Sequence, residues 1–186
     1  MEMVNNAQKE FESYLKKWTI ENNRFKNGID VGCGTTRIDN MLISIDQQAN
    51  YKYEHAQLVW NCHDLEIFND NKLDFIFSSH CLEDFDDIPI VFLNWWKKIK
   101  PDGLLLLLLP DMEDCNCEHC KGKSRYPKIS DTRGNPSHKT NVGKKYIIDM
   151  LTDMVEKNKI KFDMLQCDTI PHNVSCSIDF VIKKKL

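Results

Sequence analysis

Six consecutive leucines at positions 104–109 constrain this chain more than any other feature. A strand turns alternate residues to opposite faces, so a run apolar at every position must be covered on both sides. That is the condition of a central strand in a parallel sheet with helices above and below it. The run falls far short of the roughly 20 residues of a membrane span, so it reads as sheet core. The elements around it agree. Residues 28–31, 43–46, 57–60 and 73–77 are short apolar segments with the character of strands. Ala7, Phe11, Tyr14, Leu15 and Trp18, spaced by three and four, predict an amphipathic leading helix over 5–21. The same periodicity predicts helices over 88–99 and 144–157, with Trp95 and Trp96 as packing residues. Lys100-Pro101-Asp102-Gly103 predicts a turn that ends the first of these before the leucine strand begins. Strands alternating with helices imply right-handed crossovers and a parallel sheet. Only residues 171–176 separate the last two strands, over 162–170 and 177–182, so this pair must be an antiparallel hairpin at one edge. The expectation is a seven-stranded α/β sheet with one antiparallel strand.

Size and charge narrow the function. The 186 residues fit one domain, 1–186, and 41% apolar with 28% charged residues is the composition of a globular core. Lys and Arg number 25 against 28 Asp and Glu, a formal charge of −3, which argues against a dedicated nucleic-acid binder. The first residues show no basic-then-apolar leader, so the eight cysteines read as reduced thiols and the expected location is cytoplasmic. Residues 111–141 are polar and without period, the pattern of a functional insert or lid. The terminal Lys183, Lys184 and Lys185 read as a solvated strand end.

A strand running into Asp30-Val31-Gly32-Cys33-Gly34 brings backbone close to a ligand at the carboxyl edge of the sheet, where glycine removes an obstructing Cβ. A dinucleotide fingerprint wants a third glycine at Arg37, and the Gly-Lys-Ser/Thr of a phosphate loop is absent. Asp46 ends the second strand, where a carboxylate can accept both hydroxyls of a ribose; the competing reading is a solvated strand end. Asp64 follows the third strand, where it can accept an adenine amino group or cap a helix.

Three segments in order carry a resemblance to a family. Ile29-Asp30-Val31-Gly32-Cys33-Gly34 resembles motif I of the class I S-adenosylmethionine-dependent methyltransferases. Residues 73–84, reading LDFIFSSHCLED, are similar to their block after strand four, often D-x-I-x-S-x-H-V-L-E-H. Residues 95–104 resemble their helix-to-strand-five segment, usually ending K-P-G-G. Asp84 stands at the second His of that block, and a single Gly103 serves the final turn. Only 11 residues lie between Gly34 and Asp46, so the match is to compact members with a short first crossover. The resemblance implies a Rossmann-like sheet of order 3-2-1-4-5-7-6 with strand seven antiparallel. It also implies S-adenosylmethionine as cofactor, a small-molecule or sugar acceptor, and a cofactor set of Asp30, Gly32, Cys33, Gly34, Asp46, Asp64, Leu65 and Ser79. A noncatalytic cofactor-binding or assembly protein that retains the fold is the alternative.

Methyl transfer to a hydroxyl benefits from a general base. His80, just past the fourth strand, is the first candidate, against a helix-capping role. Glu83 and Asp84 either orient a base, bind a cation or complement a helix N-terminus. His138, in Asn135-Pro136-Ser137-His138-Lys139-Thr140, is a second acceptor-side candidate, against a solvated turn. Cys115, Cys117, His119 and Cys120 are of the right types for a structural Zn²⁺, but their spacing is imperfect and free thiols are the other reading.

Overall fold

The computed structural model describes residues 27–34, 42–47, 56–111, 139–140, 142–171 and 176–186. Their seven strands are β1 (Gly28–Val31), β2 (Ile43–Asp46), β3 (Leu58–Val59), β4 (Leu73–Ser79), β5 (Ile99–Pro110), β6 (Phe162–Pro171) and β7 (Cys176–Lys184). They form one sheet in the order β3-β2-β1-β4-β5-β7-β6. Strands β1 to β5 pair in parallel, and β7 runs antiparallel to both β5 and β6. The expected order and terminal hairpin are both present. Two described helices, α1 (Ile88–Lys98) and α2 (Lys144–Glu156), and a 3₁₀ turn at Leu82–Asp84 complete the described elements. The leading helix expected over 5–21 lies outside the described residues.

The leucine run behaves as its two-sided hydrophobicity requires. Leu105, Leu107 and Leu109 join α1 and α2 in one core, while Leu104 and Leu106 meet Phe75, Phe77 and Val181 in a second. All six leucines are 2% exposed or less, which is full burial at each position. Helix α1 turns Ile88, Val91, Phe92, Trp95 and Trp96 into the first core. It carries Pro in its first turn, where no intrahelical N–H is lost, and Lys97 and Lys98 in its last, where cations complement the dipole. Trp95 is wholly buried and its Nε1 donates to the Cys62 carbonyl at 2.7 Å, so its one polar atom is satisfied and α1 is fixed to the turn after β3. Asn94 Nδ2 donates to the His63 carbonyl, and His63 Nε2 lies 3.0 Å from Asp87 at the start of α1, which tightens the same junction.

Two expectations are corrected. The Lys-Pro-Asp-Gly signal does not separate helix from strand: β5 begins at Ile99, which pairs with Leu73, and the register shifts before Phe75 meets Leu104. Asp102 takes up the irregularity at φ 65°, and a Cβ on Gly103 would lie 2.6 Å from the Asp74 carbonyl. The turn chemistry therefore makes a bulge inside a strand. The lysine end is not uniformly solvated either. Lys184 Nζ donates to the carbonyls of Trp96 and Ile99 and to Asn71 Oδ1, and burial holds its pKa below the usual lysine value. Its amine stitches β7 to the end of α1.

Candidate active site

Strands β1, β2, β4 and β5 end at one edge of the sheet, and the antiparallel β7 begins there. Open α/β sheets bind ligands outside the carboxyl ends of their strands. The turn after β1 is built by backbone. Gly32 N and Cys33 N both donate to the Ile45 carbonyl, at 2.9 and 3.2 Å, and Gly34 N donates to Asp46 Oδ2 at 2.9 Å. Both glycines have positive φ, 74° and 55°, the left-handed region that side chains rarely adopt. Their surroundings differ. A Cβ on Gly32 would lie 2.4 Å from the Cβ and Sγ of Cys81, whereas one on Gly34 would meet none of the described residues within 4 Å. Gly32 thus permits close packing of the two loops, and Gly34 is uncrowded among the described residues.

Asp30 is 1% exposed inside β1. Cys33 is buried behind the turn, and burial, with the charges of Asp30 and Asp46, pushes its thiol up to about 12. Cys81 also rises well above the ordinary thiol range, through a hydrogen bond with Cys62 and through burial. Ser79 ends β4, and its neighbour Ser78 donates to the Val31 carbonyl at 3.0 Å, tying the ends of β4 and β1. Asp64 does the work of a turn residue: Oδ1 accepts from Glu66 N and Oδ2 from Asn61 Nδ2. Leu65 is fully buried at φ 52°, so its side chain belongs to the core and only backbone is offered to a ligand.

The corner formed by β4, β5 and β7 is built by side chains. His80 leaves β4 at φ 51°, a strained conformation for a residue with a Cβ, and its N–H donates to the Leu108 carbonyl at 2.9 Å. Its imidazole is 42% exposed, with Nε2 3.3 Å from Ser177 Oγ and Nδ1 3.4 Å from Glu83 Oε1. Glu83 lies in the 3₁₀ turn with its side chain fully buried. Beside it, burial and then the charge of Glu83 push Asp84 up to about 6; His80 and Lys139 pull the other way. Lys139 N and Thr140 N both donate to the Glu83 carbonyl at 3.0 Å, and Thr140 Oγ1 donates to the Phe85 carbonyl. Ser177 lies 97 residues from His80 in the chain, and no motif or spacing in the sequence announced it. His138 and the group Cys115, Cys117, His119 and Cys120 lie outside the described residues.

The model of the methyltransferase-domain family matches residues 3–141. No curated protein matches the chain. Among solved structures, the chain is similar to 1,6-didemethyltoxoflavin-N1-methyltransferase of Burkholderia thailandensis, solved with its acceptor and S-adenosylhomocysteine. The identity is 11% and the TM-score 0.65, over 98% of this chain and 80% of that one. The N-methyltransferase NodS of Bradyrhizobium japonicum matches at 13% identity and TM-score 0.61, over 98% and 99% of the two chains. The [4+2]-cyclase SpnF matches at 10% identity and TM-score 0.67, over 96% and 81%, so the fold alone does not fix the reaction. With the sheet order, the glycine turn and a family match over most of its length, the chain belongs to the methyltransferase-domain family and is a class I S-adenosylmethionine-dependent methyltransferase.

Proposed function

We propose that this protein methylates a hydroxyl or amine of a small molecule or sugar, with His80 as the general base. The observation that carries the reading is the position of His80: a solvent-accessible imidazole at the carboxyl edge of the sheet, one strand away from the glycine turn. The cofactor supplies an electrophilic methyl on its sulfonium. Two observations favour its fit at the β1–β2 turn. Among the described residues nothing stands where a side chain on Gly34 would, and Asp46 presents a carboxylate at the end of β2. Asp46 would take the ribose hydroxyls, Gly32 and Gly34 would let the backbone approach, and Asp30, Cys33 and Ser79 would border the same cavity. Asp64 and Leu65 would meet the adenine, Leu65 through its backbone. The raised thiol of Cys33 suits that place, since a neutral thiol is a poor nucleophile and does not compete for the methyl group.

In-line displacement needs two reactants aligned and water excluded. His80 would take the acceptor proton as the new bond forms, which suits an acceptor bearing O–H or N–H. Residues 111–141 would cover it, bringing His138 to the acceptor side; their far end is held against the Glu83 carbonyl through Lys139 and Thr140. Two of the solved structures the chain is similar to are N-methyltransferases, one of them with 1,6-didemethyltoxoflavin and S-adenosylhomocysteine bound.

Calorimetry with S-adenosylhomocysteine tests the cofactor half. Asp46→Ala removes a charge-assisted acceptor and is expected to weaken binding by about 1.5–3 kcal/mol. Unchanged affinity would remove Asp46 from the site. For the reaction, incubation with methyl-labelled cofactor and small-molecule extract is expected to give a labelled product; binding without product would favour the noncatalytic alternative.

A further inference from the structure

Methyl transfer changes the charge of the cofactor. S-adenosylmethionine carries a sulfonium, and the S-adenosylhomocysteine left behind carries a neutral thioether; their ribose, adenine and amino-acid ends are the same. Telling the two apart therefore takes a charge held close to the sulfur. With the ribose at Asp46 and the acceptor at His80, the sulfur must sit between these residues. Asp84 is the carboxyl in that interval. It closes the 3₁₀ turn after β4, and the charges of His80 and Asp46 both reach it. Cys81, three residues earlier, lies 2.4 Å from where a Cβ on Gly32 would stand, and the charge of Asp84 reaches its thiol. The chain that carries Asp84 is thus packed against the glycine turn.

We propose that Asp84 is a specificity-determining residue of the cofactor site, its carboxylate favouring the sulfonium of S-adenosylmethionine over the thioether of S-adenosylhomocysteine. The proposal rests on the cofactor reading above and deepens it. A second observation supports it: Asp84 Oδ1 is enclosed and accepts no hydrogen bond among the described residues. A carboxylate held in this way is costly unless positive charge lies nearby. A sulfonium has no N–H or O–H to donate, so it is attracted through the field of a carboxylate and not through a hydrogen bond. Other acids at this edge fit less well. Asp46 Oδ2 accepts from Gly34 N, Asp30 is 1% exposed inside β1, and the Glu83 side chain is fully buried beside the His80 ring. Asp84 is only half-buried. Lys139 opposes its field, more weakly than Glu83 or Asp46 shape it. The benefit falls on cofactor exchange: a carboxylate there holds the charged reactant better than the neutral product.

Calorimetry on the full-length chain at pH 8, where Asp84 is ionised, compares three ligands: S-adenosylmethionine, S-adenosylhomocysteine and sinefungin, which has an ammonium at the methyl position. The wild type is expected to bind the two cationic ligands roughly tenfold more tightly than the neutral one, the scale of one partly screened charge pair. Asp84→Asn keeps the shape and removes the charge; it is expected to bring the three affinities within about twofold of one another. Asp84→Ser, smaller and also neutral, is expected to give the same ratio. Asp86→Asn removes an exposed acid two residues on and is expected to keep the wild-type preference. Equal affinities in wild type, a preference kept in both Asp84 variants, or the same loss in Asp86→Asn would each overturn the assignment. Failure of S-adenosylhomocysteine to bind wild type at all is a distinct result, which would overturn the cofactor reading and this inference with it.

Discussion

The β1–β2 turn and the β4–β7 corner lie along one sheet edge but are built from different materials. At the turn, main-chain N–H groups of Gly32, Cys33 and Gly34 are all engaged by β2, and the conformation is one that glycine adopts freely. At the corner, His80, Glu83, Asp84 and Ser177 converge as side chains, with a strained backbone at His80 and a carboxyl pushed up to about 6 at Asp84. A site made of backbone tolerates change in neighbouring side chains, and a site made of side chains can be retuned one residue at a time. The difference suits a cofactor common to a family and an acceptor particular to each member.

The contrast can be broken most severely at His80. If it is the base, His80→Ala is expected to lower turnover by about 10²–10⁴ with cofactor affinity nearly constant. Loss of cofactor binding in the same variant would instead join the corner to the turn. The next effect falls on folding. Gly32→Ala combines a left-handed φ with a Cβ 2.4 Å from Cys81, so denaturant titration is expected to show a loss of about 2–4 kcal/mol. Gly34→Ala has the strain without a clash among the described residues, and its folding loss is expected to be about 1–2 kcal/mol. S-adenosylhomocysteine binding weakened more than stability in Gly34→Ala, and the reverse in Gly32→Ala, sharpens the distinction between them.

The smallest effect is electrostatic. Asp84 is raised in the folded state, so its contribution to stability is fully present below its ordinary value of 3.8 and is lost as pH rises through about 6. Asp84→Asn removes that loss. It is expected to be more stable than wild type at pH 7 by roughly 1 kcal/mol once solvent screening is allowed for, with a flatter stability profile between pH 4 and 7. Thermal unfolding across that range reads it.

The parts legible in the sequence were those with a local cause. Leu104 to Leu109 required burial on both faces, and the short link between the last strands required a hairpin; the family motifs then supplied the order. The same Pro-Asp-Gly signal serves a break and the bulge at Asp102 alike, and only pairing of Ile99 with Leu73 decides between them. Three consecutive lysines read alike as a solvated end and mask Lys184, the one that turns inward to two carbonyls. Asp64 allowed two readings in sequence, an adenine acceptor and a helix cap, and its bonds to Asn61 and Glu66 belong to a turn rather than to a helix start. Ser177 was invisible for another reason: an antiparallel final strand returns its first residues to the edge where the parallel strands end, a meeting that no spacing along the chain encodes.

The Glu83 carbonyl, which accepts from two successive N–H groups, carries a last consequence. Asp111 is buried at the end of β5, and Lys139 and Thr140 are pinned beside the 3₁₀ turn, so the intervening chain departs and returns at fixed posts on the scaffold. Because closing a longer loop adds only slowly to its entropy cost, on the order of 0.6 kcal/mol per doubling, the stretch between the posts can be lengthened or exchanged at little thermodynamic penalty. The sheet then acts as a socket: different sequences can be grafted between Asp111 and Lys139 while the strands beneath keep their register.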